Sequence, residues 1–283
     1  MGGGRVAVVT DSTAYLPDGL ADRLSIQVVP LQVVLGGRSG AEGSEVTPAE
    51  VASALASWVP VSTSRPTPAQ FAAVYRDALD RGASEVVSLH LSRELSGTWD
   101  SARLAAAEVG SDRIRVVDSR SAAMGLGFAV LAAAEAAAAG DTQEQVYEAA
   151  VATAERTTTL FYVDTLEHLR RGGRIGAAQA LLGTALSVKP ILHVREGRIV
   201  PLEKVRTVSK GIARLEALAV AAAGDGPADV AVHHLAAAER ATTLAERLLA
   251  RLPGVRQFYA SEVGAVVGAH VGPGVLGVVV VRP

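Results

Sequence analysis

Apolar and polar positions along this chain alternate with two periods, and each change of period marks an element. Short aliphatic runs stop at acidic or hydroxyl residues: RVAVV (5–9) before TDS, EVVSLHL (85–91) and RIRVVD (113–118). Such runs predict buried parallel strands. IQVVPLQVV (26–34) predicts another, with Pro30 marking an edge or a bulge. Between the runs stand helix starts. Thr47-Pro48-Ala49-Glu50 and Thr67-Pro68-Ala69-Gln70 both read as capping boxes with proline in the first turn, opening helices to about 58 and 81. Further helices are expected from near Thr98, over about 123–139, and behind Thr142 with Gln145.

Strand and helix in alternation predict a mainly parallel, helix-covered sheet over residues 1–157. The pattern changes after that. LFYVDTLEHLRRGGRI (160–175) gives a strand, a short helix and a basic glycine loop, and 190–206 reads as a hairpin turning at Glu196-Gly197. A strand at 228–235, a helix over about 236–251 and two strands around a glycine loop complete a second domain, 158–283, of α+β class with antiparallel pairing.

Ligands of parallel sheets collect beyond the carboxyl ends of the strands. There the sequence places VTDST (9–13), VSTSRPT (61–67), LSRELSGT (91–98) and VVDSRSA (116–122). Ser96, Gly97 and Thr98 either cap the helix that follows or hold an anion at its amino end. Thr63 and Ser64 form a second hydroxyl cluster, with Arg65 as counter-charge or surface residue. Two such clusters at neighbouring strand ends of one sheet would face the same crevice. His270, among the glycines of GAHVGPGVLG (268–277), is expected on a tight loop.

Composition narrows the chemistry. The chain has 283 residues, no cysteine and a net charge of −2, so disulfides, thiolate sites and a cysteine nucleophile are excluded and nothing draws the whole chain to nucleic acid. No apolar run approaches the roughly 18 residues of a membrane span, and MGGGRVAVVTD shows no charged-then-apolar leader, making the cytoplasm the expected address. No histidine pair has metal-ligand spacing with a carboxylate, so no metal is expected. No GxSxG elbow or GxxxxGK[ST] loop occurs. Ser96 with His270 remains a conceivable dyad for a hydrolase or phosphotransferase, with Asp11 and Asp118 the available acids. Residues 170–214 hold ten basic and two acidic side chains, including all three lysines. This window is either a solvated face or a docking surface, with Arg170, Arg171, Arg174, Lys204 and Arg206 as its candidates.

Six motifs, VTDSTAYLP, VSTSRPTPAQF, LSRELSGTWDSA, VVDSRSAAMGLG, LRRGGRI and VGAHVGPG, occur in the order found in the DegV family, and the resemblance spans essentially the whole chain. It implies two domains with a tunnel between them for one long-chain fatty acid such as palmitate, and no other cofactor. It implies carboxylate binding by Thr63 of the TS motif and Ser96 of the SGT motif, with Ser64, Gly97 and Thr98 beside them and His270 close to the head group. It also implies a carrier without catalysis of its own, which presents the acid to a separate ATP-binding fatty acid kinase subunit. The basic block from Arg170, with Arg174, is then the contact for kinase or nucleotide. Arg65-Pro66 departs from the neutral residue common after the TS motif.

Overall fold

Pro30 divides the second apolar run into two strands that join different sheets. In the computed structural model, which describes residues 4–181 and 188–282, the chain begins β1 (Val6–Asp11), α1 (Leu20–Arg23), β2 (Gln27–Val29), β3 (Gln32–Leu35), β4 (Arg38–Ala41) and α2 (Pro48–Ala56). It continues β5 (Val61–Ser64), α3 (Pro68–Asp80), β6 (Glu85–His90), α4 (Thr98–Val109), β7 (Ile114–Asp118), α5 (Met124–Ala138) and α6 (Gln143–Glu155). Then follow β8 (Thr157–Tyr162), α7 (Glu167–Arg171), β9 (Lys189–Arg195), β10 (Arg198–Val205) and α8 (Val208–Ala223). Last come β11 (Ala228–His234), α9 (Ala238–Arg251), β12 (Val255–Glu262), α10 (Ala265–Val271) and β13 (Leu276–Val281).

Contacts group the chain into two compact units, Met1–Gln32 with Ser64–Glu155, and Val33–Thr63 with Arg156–Pro283. A single division at 157/158 therefore misplaces residues 33–63. The cause lies in β3, β4 and β5, which form a three-stranded sheet of their own, and in α2, which packs on α10. VSTS (61–64) is thus no strand of the parallel sheet, against the sequence-based expectation.

The first unit is built on the parallel sheet β2-β1-β6-β7. Helices α3 and α4 lie on one face and α5 and α6 on the other. Phe71, Ala72, Tyr75 and Ala78 recur at helical spacing in α3 and meet Val9, Val86 and Ile114 of the sheet with Ala102, Ala105 and Ala106 of α4. Both capping boxes form: Thr47 Oγ1 accepts the Glu50 N–H at 3.2 Å and the Glu50 carboxylate accepts the Thr47 N–H at 2.8 Å, with Thr67 and Gln70 paired likewise.

A carboxylate sits at the centre of this unit. Asp11 is fully buried at the end of β1. Its Oδ1 accepts the Thr13 N–H at 3.0 Å and hydroxyl at 2.5 Å. Its Oδ2 accepts the Leu91 N–H and lies 3.0 Å from His90 Nδ1. Beyond the imidazole, His90 Nε2 is 2.7 Å from Ser88 Oγ, which accepts the Tyr75 hydroxyl at 2.9 Å. One assignment satisfies every atom: Tyr75 donates to Ser88, Ser88 to Nε2, and Nδ1–H to the carboxylate. Ser88, His90 and Asp11 share the connectivity of a hydrolase triad. Yet all three are 0% exposed, so this row ties β1 to β6 and offers no nucleophile.

The second unit carries the mixed sheet β10-β9-β8-β13-β11-β12, in which only β11 and β12 run parallel. One face, with Leu160, Ile191, Val230, Val232 and Val278, packs under α8 and α9. Phe161, Leu192, Ala231 and Val279 have the opposite parity and form a second apolar face. Pro201 and a bulge beside it irregularise the edge strand β10. No described helix is long and apolar enough to cross a membrane.

A buried donor left without its acceptor costs about 1–3 kcal/mol, and several left together cost more. Asp11→Ala is accordingly expected to lower stability by that order in a urea titration, since it strands four donors from the two strand ends.

Candidate functional site

Thr63 and His270 stand 207 residues apart in sequence and meet in the second unit, with Thr63 Oγ1 2.9 Å from His270 Nε2. Thr63 comes from β5 and is half-buried. His270 is not on a loop, as its glycine neighbours suggested. It occupies the last turn of α10, just before Gly272. Gly264 and Gly268 disguise this helix in the sequence. A Cβ on Gly268 would lie 3.0 Å from Leu235, so glycine there permits close packing.

The imidazole is held in place by the basic loop. Gly172 has an ordinary helical φ of −74°, but a Cβ on it would overlap His270 Nδ1. The converse contact lies nearby. Gly272, in the left-handed region at φ +77°, leaves room for the ring of His168, which any Cβ would strike. Each helix's histidine thus rests on the glycine that ends the other helix. Burial drives His270 down to a pKa of about 4, with Arg174 adding to the shift, and its buried Nδ1 has no hydrogen-bond partner. Burial, with Arg171, likewise lowers His168. At neutral pH, His270 is therefore a neutral ring. Sequence reading missed Gly172 and His168; RRGGRI showed glycines without showing what they touch.

Ser96, Gly97 and Thr98 belong to the first unit. Gly97 is the cap residue of α4, and no side chain bonds from that position. Ser96 Oγ instead accepts the Thr98 N–H at 3.3 Å and lies 2.9 Å from Thr98 Oγ1. Ser92 Oγ accepts the Glu94 N–H, and its carbonyl receives the Leu95 and Ser96 N–H groups. Ser96 thus covers one orphan donor of α4 and presents a half-buried hydroxyl at the helix's positive end. Ser64 is exposed at the end of β5. Arg65 lies flat across Gly97, where a Cβ would collide with its guanidinium.

The basic candidates are less free than their count implies. Arg170 makes two bonds to Glu167, at 2.9 and 2.7 Å, and Arg171 makes a third at 2.7 Å. Arg170 first and then Arg171 hold the Glu167 carboxyl at a pKa of about 2. The Arg171 guanidinium also stacks 4.7 Å over the ring of Trp58, which is 67% exposed. Arg174 donates to the Gly172 carbonyl at 2.7 Å. Lys204 lies exposed on β10, and Arg206 follows it. For a Ser96 and His270 dyad, neither acid serves as orienter: Asp11 is saturated, and Asp118 accepts the N–H groups of Arg93 and Arg120.

Three comparisons bear on this geometry. The model of the DegV family, described as uncharacterised proteins, matches residues 5–282. A DegV domain-containing protein of Streptomyces coelicolor is 58% identical over 275 residues, 97% of this chain and 98% of its own length. A DegV family protein from Thermus thermophilus, its structure described for fatty acid binding, is 38% identical with a TM-score of 0.93, covering 99% of this chain and 100% of its own. Bacillus subtilis DegV, described as a fatty acid binding protein, is 37% identical with a TM-score of 0.89 at 99% and 100% coverage.

A histidine whose folded pKa lies below its unfolded value costs stability once the unfolded state takes up a proton that the folded state refuses. For His270 that loss begins as pH falls below about 6.5 and is complete near pH 4. Buried His233, also near 4, contributes over the same range. His270→Gln is expected to flatten part of the acid-side fall in stability measured by urea titration from pH 7 to 4, with the His233 share remaining.

Proposed function

The chain belongs to the DegV family, and from that premise we propose that it binds one long-chain fatty acid and presents the carboxylate to a separate ATP-dependent fatty acid kinase subunit. The observation that carries the reading is the Thr63–His270 pair: a hydroxyl and a neutral, largely buried imidazole at 2.9 Å. If Nε2–H donates to Thr63 Oγ1, the threonine proton is free to donate outward, and an anion is the partner it suits. In the opposite tautomer the threonine would offer lone pairs to that anion and repel it. The Nε2–H tautomer of the neutral ring is thus the one that turns the hydroxyl outward. Ser96 with Thr98 at the amino end of α4 is the second donor group of this reading, and Ser64 and Gly97 complete its set of residues.

The acyl chain needs an apolar wall. The second face of the six-stranded sheet, carrying Phe161, Leu192, Ala231 and Val279, has that character. About 14 methylenes at ~0.8 kcal/mol each give a gross term on the order of 11 kcal/mol, much of which association and chain ordering offset. Affinity then comes from the tail, while neutral donors fix the head group without the grip of a bidentate arginine. That suits a cargo handed on to another subunit. The kinase would dock on the basic surface of Arg170, Arg171, Lys204 and Arg206, with Arg174 nearest His270.

Denaturing extraction of the purified protein followed by mass spectrometry is expected to release close to one long-chain acid per chain. A protein that is empty and binds no fatty acid on titration overturns the reading. Ser96→Ala and Thr63→Val are each expected to weaken binding by about tenfold, the equivalent of one hydrogen bond to a charged group, with circular dichroism unchanged. Wild-type affinity in both would remove them from the head-group site.

A further inference from the structure

The helix that carries His270 lacks a cap of its own. Its cap residue is Gly264, which has no side chain to offer the first N–H groups of α10. The acceptor comes instead from a loop 224 residues earlier: Glu42 Oε1 takes the Val266 N–H at 2.7 Å. Glu42 is only 7% exposed. A buried carboxylate is costly unless it is well paired, and a helix amino end is one of the few places that stabilise it through both N–H groups and dipole. The loop around it is tightly determined. Glu45 and Val46 N–H groups bond to the Ala41 carbonyl, the Glu45 carboxylate takes the Ala41 N–H at 2.7 Å, and Gly43 turns at φ +87°.

We propose that Glu42 is a positioning residue for the head-group site, replacing the absent cap of α10 and so fixing where its last turn delivers His270 to Thr63. This inference rests on the reading of Thr63 and His270 as head-group residues. The helix is short, seven residues from Ala265 to Val271, so its two ends are not independent. A displacement at Val266 is transmitted to His270 one turn later. Thr63 and Gly172 then meet a ring in the wrong place.

The test uses the full chain labelled with 15N at histidine, with palmitic acid as ligand. The His270 titration is followed by NMR in wild type, Glu42→Ala and Glu42→Gln, and affinities are measured for these, for His270→Ala and for the Glu42→Ala/His270→Ala double variant. Loss of a nearby negative charge alone would push the His270 titration further down, whereas loosening of the ring brings it up toward an ordinary histidine. The proposal expects the upward move in Glu42→Ala, with binding weakened about tenfold. Glu42→Gln, whose amide oxygen still accepts the Val266 N–H, should remain within about threefold of wild type. The double variant should bind no worse than His270→Ala alone. An unmoved or lowered titration in Glu42→Ala overturns the proposal, as does a fully additive loss in the double variant. If His270→Ala binds like wild type while Glu42→Ala still raises the titration, the head-group reading fails and the positioning role stands. Should Glu42→Ala fail to fold, Glu42→Asp decides, because its shorter side chain withdraws the acceptor from the Val266 N–H: a raised His270 titration with faster amide exchange confined to α10 supports the role, and wild-type titration and exchange reject it.

Discussion

A carboxylate sealed from water must be surrounded by donors, and the first unit is arranged around that demand. Asp11 receives its bonds from the turn after β1 and from the end of β6, so two strand ends and a row of side chains reaching Tyr75 are fixed together. The chain leaving β6 starts from that anchor. Ser92 N–H bonds to the Ser121 carbonyl and Ser119 N–H to that of His90, which fixes the segment on which Ser96 is carried. The second unit meets the same demand at Glu42 with a backbone donor from a remote helix. In both, a buried charge has become a device for placing backbone.

What the sequence disclosed was mostly local chemistry. Capping boxes, aliphatic runs and the Glu196-Gly197 hairpin each lie within a few residues, where cause and effect are adjacent. The parallel sheet and the mixed second sheet were legible on the same grounds. The grouping of residues 33–63 was not, because β3 continues an apolar run whose first half belongs to another sheet, and only Pro30 marks the break. Nor was α10 legible, since glycines at 264 and 268 lower helix propensity while serving close packing.

The candidate site divides the same way. Thr63, Ser96 and His270 came from ordered motifs, whereas the Gly172–His270 contact and the Glu42 cap depend on pairs remote in sequence. The basic window shows a related limit. Its charges are nearly unopposed when counted along the chain, but Glu167 and Asp164, both just outside it, hold Arg170, Arg171 and Lys189. A window in sequence does not bound a neighbourhood in space.

The crossed packing of two histidines on two glycines has a consequence for substitution. Neither glycine can take a side chain by itself, because its Cβ would meet the histidine ring of the other segment. The segments His168–Gly172 and His270–Gly272 are therefore constrained as a pair, although roughly a hundred residues of chain separate them.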